Sequence, residues 1–456
     1  ADRYMLEANL RYDGSSRFIG DQRWGLFPSF SAGWNIAREA FFEPLNSVVG
    51  TLKVRASWGQ LGNNNTDSTD AWYPFYQNMP TGTASSSWLI NGTQQNVAGL
   101  PGIVSSLMTW ETIESWNVGF DWGLFDNRLT GSFDYYNRYT YDMIGPAPLL
   151  PSVLGANAPQ INNCDMKSYG WELEMSWRDR IQKFNYGVRL VVSDNLRKIL
   201  RYPNETMALS TYYKGQILGD IWGYQTVGIA QSQEEMDKHL ANGGTPNWGT
   251  SWGPGDIMYA NTDGKDGVDS GANTLDDHGD MKIIGNNTPR YNFGLTLDGA
   301  WNGLDFSIFL QGIMKRDYML GGPYFWGAQG GEWQSCAFSE HMDYWRPEGD
   351  PLGANTGAYY PKPYFNTDKN QRTQTRYLQN AAYIRLKNMQ VGYTLPRIWT
   401  QKAGMESVRI YVSGDNLLTL SDISGVFDPE LLGSDWGDGK LYPLQKTISI
   451  GLNVNF

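Results

Sequence analysis

Few residues in this sequence are arranged for covalent chemistry. Its 456 residues include three histidines, His239, His278 and His341. None stands in an H-E-x-x-H pattern or beside a G-x-S-x-G turn, so neither a zinc protease nor a serine hydrolase is indicated. All three read as solvated loop histidines. The acid pairs Glu234-Glu235 and Asp276-Asp277 are formal candidates for glycosidase carboxylates, but such groups must face each other across a cleft. Adjacent acids in a Gly/Asn-rich loop read as solvated instead. No catalytic residue is assigned, and the sequence does not read as an enzyme. Cys164 and Cys336 are the only cysteines. Without a C-x-x-C pair they do not suggest zinc, and a loop-to-loop disulfide and two unpaired thiols both stay open.

Two stretches carry binding chemistry. In NTDGKDGVDSGANTLDDHGD, from Asn261 to Asp280, oxygen-bearing side chains alternate and are followed by glycine, as in calcium loops. Asn261, Asp263, Asp266 and Asp269 are the candidate ligands. However, Lys265 occupies a position where an acid is expected, and Asp266 and Asp269 fall out of register, so a solvated acidic loop is the stronger reading and calcium the alternative. No other cofactor is indicated. Aromatic residues crowd the long connections: Trp72, Tyr73, Phe75 and Tyr76, then Tyr212, Tyr213, Trp248 and Trp252. The segment GGPYFWGAQGGEW adds Tyr324, Phe325, Trp326 and Trp333. Flat rings offer an apolar face to sugar C–H groups. Tyr324, Phe325, Trp326, Trp333 and Trp252 are therefore the candidate ligand-binding residues, with the glycines around Trp326 allowing it to reach out from the wall. The competing reading is that these rings pack the loops together or against a partner.

The elements that position these loops are strands. In ESWNVGFDWGLF, Trp116, Val118, Phe120, Trp122 and Leu124 share one face, and Asn117, Gly119, Asp121 and Gly123 the other. RYNFGLTLDGAW repeats the pattern with Tyr291, Phe293, Leu295 and Leu297, and KTISIGLNVNF ends the chain with Ile448, Ile450, Leu452, Val454 and Phe456. About twelve such strands occur, near the ~10 residues that a tilted membrane strand requires. Tight turns at Phe125-Asp126-Asn127, Asn302-Gly303 and Arg178 to Lys183 alternate with very long connections: Gln60 to Glu114, Arg138 to Ser168, Leu196 to Arg290 and Ile313 to Ala382. Compact soluble domains rarely hold several structureless loops beyond ~15 residues, whereas outer-membrane barrels have short turns on one side and long loops on the other. No run of ~18 apolar residues indicates a helical span. The net charge of −11 offers no basic patch to nucleic acid. The fold expected is all-β: a transmembrane antiparallel barrel with its apolar face against outer-membrane lipid. A soluble β protein is the alternative.

Seven stretches, in order, resemble the C-terminal barrel of SusC/RagA-type TonB-dependent transporters of Gram-negative outer membranes. They are GLFPSFSAGWNIAREAFF, LKVRASWGQLGNN, WNVGFDWGLFDNRLTGSFDYYNRYTYDMI, IGNNTPRYNFGL, YIRLKNMQVGYTLP, RIYVSGDNLLTL and YPLQKTISIGLNVNF. The resemblance implies that residues 1–456 are the C-terminal portion of a larger plugged barrel, with the plug and TonB box outside this chain; the start at Ala1, without a signal peptide, fits a piece of something longer. It further implies a SusD-like surface lipoprotein as lid, TonB as energy source, and an oligosaccharide or, alternatively, an oligopeptide as cargo. A soluble glycan-binding or glycan-degrading protein is the remote alternative. Phe456, an aromatic last residue, then resembles a barrel-assembly signal.

Overall fold

The computed structural model describes residues 3–65, 73–83, 89–147, 151, 153, 158–329, 335–365, 369–433 and 438–456. Twelve strands form one antiparallel sheet in which chain order is spatial order. They are β1 (Tyr4–Gly14), β2 (Trp24–Asn35), β3 (Val49–Asn63), β4 (Glu111–Leu124), β5 (Leu129–Gly145) and β6 (Ile161–Ile181), followed by β7 (Phe184–Arg201), β8 (Arg290–Trp301), β9 (Leu304–Lys315), β10 (Tyr383–Thr394), β11 (Ser407–Ser421) and β12 (Thr447–Asn455). Among the described residues, β1 and β12 are the two edges of this sheet.

The register carries the alternation from strand to strand. Val54 pairs with Phe120, Phe120 with Phe133, Phe133 with Leu173 and Leu173 with Val192. Further on, Leu190 pairs with Leu295, Leu295 with Leu310 and Val412 with Ile450. Period-2 alternation places all of these on one face. That face is not a sealed interior: Phe120 is 42% exposed and Ile450 80%. It forms an apolar band bordered by rings, with Tyr12 stacked on Trp24 near the long-loop end and Phe184 on Tyr186 near the short-turn end.

The opposite face is polar and cross-linked by ion pairs. Arg55 on β3 reaches Asp121 on β4 at 3.2 Å and Asp134 on β5 at 2.5 Å. Arg189 meets Glu174 at 2.7 Å, and Arg409 meets Asp305 at 2.5 Å.

Short turns and long loops segregate to opposite ends. Asn302 and Gly303 both have positive φ, 49° and 89°, as a two-residue hairpin turn that matches strand twist requires. Several strands outrun the expected ones. The stretch from Arg138 to Ser168 is not all loop, because β5 continues to Gly145 and β6 begins at Ile161. Beyond the apolar band polar and apolar residues mix on both faces and bulges interrupt the register between Asn162 and Met166, so the periodic signal fades while the hydrogen-bonded ladder continues. The sequence reading also passed over a further long connection, residues 422–446, before β12.

Leu295 lies mid-strand in that band, so Leu295→Arg should destabilise the sheet in a bilayer by about 2–4 kcal/mol. The assembled, heat-modifiable form on gels should fall, while Thr296→Arg on the polar face should assemble at near-normal yield.

Candidate functional site in the long loops

The long connections are folded, not structureless. Residues 202–289 contain the helix α1 (Gln233–His239) and ladders pairing Asp220–Gly223 with Lys282–Asn286 and Thr226–Ile229 with Ile257–Tyr259. Residues 316–382 pair Asp317–Met319 with Leu378–Asn380. These segments, with residues 423–432, close around one apolar core built on Tyr259, Phe325, Trp326, Tyr360, Tyr377 and Phe427. Loops of this length bear the ordering cost of their backbone, and burial of so many rings offsets it.

Polar staples fix this body. The Lys369 ammonium sits 2.7 Å from the fully buried Asp256 carboxylate, which also accepts from Asn370 Nδ2 at 3.0 Å. At the mouth of β10, Arg385 contacts Asp428 at 2.7 Å and Glu430 at 3.1 Å, tying residues 422–433 to the wall. Asp438 accepts from the Tyr318 hydroxyl and the Gly321 amide, both at 2.9 Å. Burial, reinforced by the Asp438 charge, pushes the Tyr318 phenol up to about 12.

The candidate aromatic residues separate. Phe325 is fully buried, and Trp326 packs edge-to-face on Tyr377 at 4.7 Å. The glycines therefore do not carry Trp326 outward: Gly322 and Gly327, both at positive φ, flank a single helical turn that turns the rings inward. Tyr324 packs on Phe338 at 5.5 Å. Trp252 is partly buried against the core, with the Lys369 ammonium 5.3 Å from its ring. Trp333 lies outside the described residues.

An open cleft of about 410 Å³ lies beside this core. Of the described candidates only Trp326 borders it. The other walls include Phe338, His341, Tyr344, Tyr364 and Phe365, with Asn370 and Gln371 contributing amides. Sequence reading missed these residues, although Tyr359-Tyr360 and the Pro361–Phe365 run PKPYF carried the same aromatic signal. His341 is not simply solvated: its Nε2 lies 3.1 Å from Tyr324 O and its Nδ1 accepts from the Phe338 amide at 3.0 Å. His239 is likewise part-buried, and that burial lowers its pKa. His278 lies against Trp222, ring centroids 5.3 Å apart.

The acidic loop is organised from within. Asn261 donates to Gly243 O and Gly267 O, Asp263 accepts from the Lys265 amide, and Asp269 accepts from the Gly271 amide. The hydrogen bond from the Lys265 amide, helped by the Lys265 ammonium 3.2 Å away, holds the Asp263 carboxyl below its usual range. Asp266 joins none of these interactions among those described. The buried Asp280, which sequence reading passed over, accepts from the Asp269 amide at 2.9 Å and the Asp263 amide at 3.2 Å. Among the described residues no three acidic, histidine or cysteine side chains converge as metal ligands. Cys164 and Cys336 are both unpaired.

Comparison with known proteins decides the family. A family model described as TonB dependent receptor-like, beta-barrel, matches residues 1–417. The chain belongs to that family. As a TonB-dependent receptor barrel it lies in the outer membrane, which assigns the apolar band to lipid, the polar face to the inner wall and the long loops to the extracellular side. TonB-dependent receptor P3 of Formosa agariphila is 29% identical over all of this chain and 44% of its own length. TonB-dependent receptor SusC of Bacteroides thetaiotaomicron is 25% identical over all of this chain and 42% of its own. The RagAB peptide transporter structure superposes with a TM-score of 0.73 at 21% identity, covering all of this chain and 46% of that one; this likeness speaks to fold. The chain thus spans less than half the length of the relatives it matches.

Trp326 belongs to the loop core, so Trp326→Ala should cost that body about 3–5 kcal/mol. Limited proteolysis of the barrel in detergent should cut residues 316–382 faster in the variant, while the strands stay protected.

Proposed function

We propose that this barrel forms part of a transporter that imports an oligosaccharide across the outer membrane, energised by TonB and working with a SusD-like surface lipoprotein. The observation that carries the reading is the aromatic cleft in the long loops, on the extracellular side of a sheet whose inner face is polar. Phe338, Tyr344 and Tyr364 offer ring faces, and the Gln371 amide, whose Oε1 has no partner among the described residues, offers a hydrogen-bonding edge, a combination that suits sugar rings. The TonB-dependent receptor named SusC, similar along the whole chain, supports the TonB-energised part of this reading and leaves the cargo to the cleft. Oligopeptide import is the second reading. The Lys362 ammonium, on a cleft residue and 5.7 Å from the Tyr364 ring, offers a cation to an acidic peptide group.

The intact transporter separates the two readings by calorimetry against a panel of oligosaccharides and a peptide digest. Binding confined to oligosaccharides is expected. Phe338→Ala with Tyr364→Ala should weaken it at least tenfold while leaving membrane assembly unchanged; unaltered affinity would remove the cleft from the capture route.

Phe456 is proposed as an assembly signal rather than a ligand contact. It follows β12 at the periplasmic end with 90% of its surface exposed. Deleting it should lower the yield of assembled barrel several-fold without changing ligand affinity in the molecules that do assemble.

A further inference from the structure

Most arginines on the inner wall are matched with acids, but two adjacent ones are not. Ser168 on β6 is the direct cross-strand partner of Arg138 on β5 and of Arg197 on β7. Arg138 in turn pairs with Ser115 on β4. One row across four strands therefore reads Ser115, Arg138, Ser168, Arg197. Period-2 alternation puts it on the face that carries Asp121, Asp134 and Glu174, the inner wall.

All four residues border a cavity of about 570 Å³ in this wall. The next row toward the periplasm adds Asn117, Tyr136 and Asn195. That row holds the only glycine of the four-strand patch, Gly170. A Cβ there would come 2.9 Å from the Tyr136 hydroxyl, so the bare backbone leaves the phenol room to lie across the strand.

Arg138 and Arg197 are exposed, and neither guanidinium has a salt-bridge or hydrogen-bond partner among the described residues. The Ser115 and Ser168 hydroxyls are equally unengaged. Glu172 borders the same cavity, but it sits four residues from Ser168 along β6, roughly 13 Å away at strand rise. The arginines lie two strands apart, about 10 Å between backbones, which lets both long side chains reach one group placed over Ser168. These 456 residues are acidic, at −11, so repulsion clears anions from much of their surface. A pair of uncompensated guanidiniums flanked by hydroxyls, in a recess, is the arrangement that binds oxyanions.

We propose that Arg138, Arg197, Ser115 and Ser168 form an oxyanion-binding site on the inner wall, which takes a carboxylate or sulfate group carried by the cargo as it leaves the loops. Its position just below the extracellular rim makes it a second contact after the aromatic cleft. The ion-binding part stands independently of the import reading, and the cargo part rests on it.

The probes are selenate, galacturonate and galactose, applied to the intact transporter. Crystals soaked in selenate should show an anomalous peak between the two guanidiniums. Arg138→Gln and Arg197→Gln should each weaken selenate binding at least tenfold in solution, and added salt should weaken it in the wild type. Galacturonate should displace selenate, and neutral galactose should not. Assembly measured by heat-modifiable mobility should be normal in both variants, since both side chains are exposed and neither pairs with another group among the described residues. Absence of the peak, or binding unchanged in both variants, would overturn the site. Selenate that galacturonate fails to displace would mean an adventitious ion only, and would overturn the proposal while leaving the import reading untouched.

Discussion

The backbone hydrogen bond in lipid is the constraint on which everything else depends. A peptide group in the hydrocarbon layer has no water to turn to, so each N–H and C=O must be paired within the protein. Side-by-side antiparallel strands achieve this, and β1 to β12 are paired consecutively without a crossover. Once pairing is compulsory, alternation follows, because each strand has one side in lipid and one side toward the interior. The unbroken passage of apolar side chains from Val54 through Phe120 and Phe133 to Leu173 is that rule written in residues. A one-residue slip anywhere would move charges such as Asp121 and Asp134 into lipid.

The same constraint ends at the membrane surface, and the chain changes character there. Outside lipid the loops can use water, so they are free to be long. Their length then creates a second problem, the entropy of ordering more than a hundred residues. The solution here is a separate core. Tyr259 and Tyr377 are fully buried in it, and Asp256 with Lys369 forms a buried pair whose remaining hydrogen-bonding capacity is met by Asn370, the Ser251 carbonyl and flanking rings. A buried ion pair adds little net stability, but losing one partner is costly. It therefore acts as a specificity device, joining residues 256 and 369 and excluding alternative packings.

These two regimes explain what could be read from the sequence. Alternation identified the strands around Trp116, Phe120 and Leu295 because lipid imposes it residue by residue. It failed past Arg138 and Leu196, where the ladder runs on into water and no face is required to be apolar. The loop rings were legible as a crowd but not by role. Trp326 and Phe338 look alike in sequence and both border the cleft, yet one is buried against Tyr377 and the other is 38% exposed, and only tertiary contacts separate them. The acidic loop is ambiguous in sequence for a related reason. Asn261 and Asp263 have the chemistry of ligands, but side chains of this kind also satisfy backbone amides, and both are consumed in doing so.

The inner wall obeys neither lipid nor a packed core, so its side chains are selected by charge. Arg55 and Arg189 face acids on adjoining strands and Arg409 reaches across β10 to Asp305 on β9, and such partly exposed pairs contribute modestly, about 0–1 kcal/mol each. Their larger effect is to cancel fields along that wall, so that no matched position holds an ion strongly. Arg138 and Arg197 break that neutrality in one recess, with Ser168 between them. A conduit needs sites favourable enough to draw a group in yet weak enough to release it. Two exposed guanidiniums in hydrated surroundings meet both demands: they attract an anion through a high-dielectric interior, and they hold it with a strength that water continually competes against.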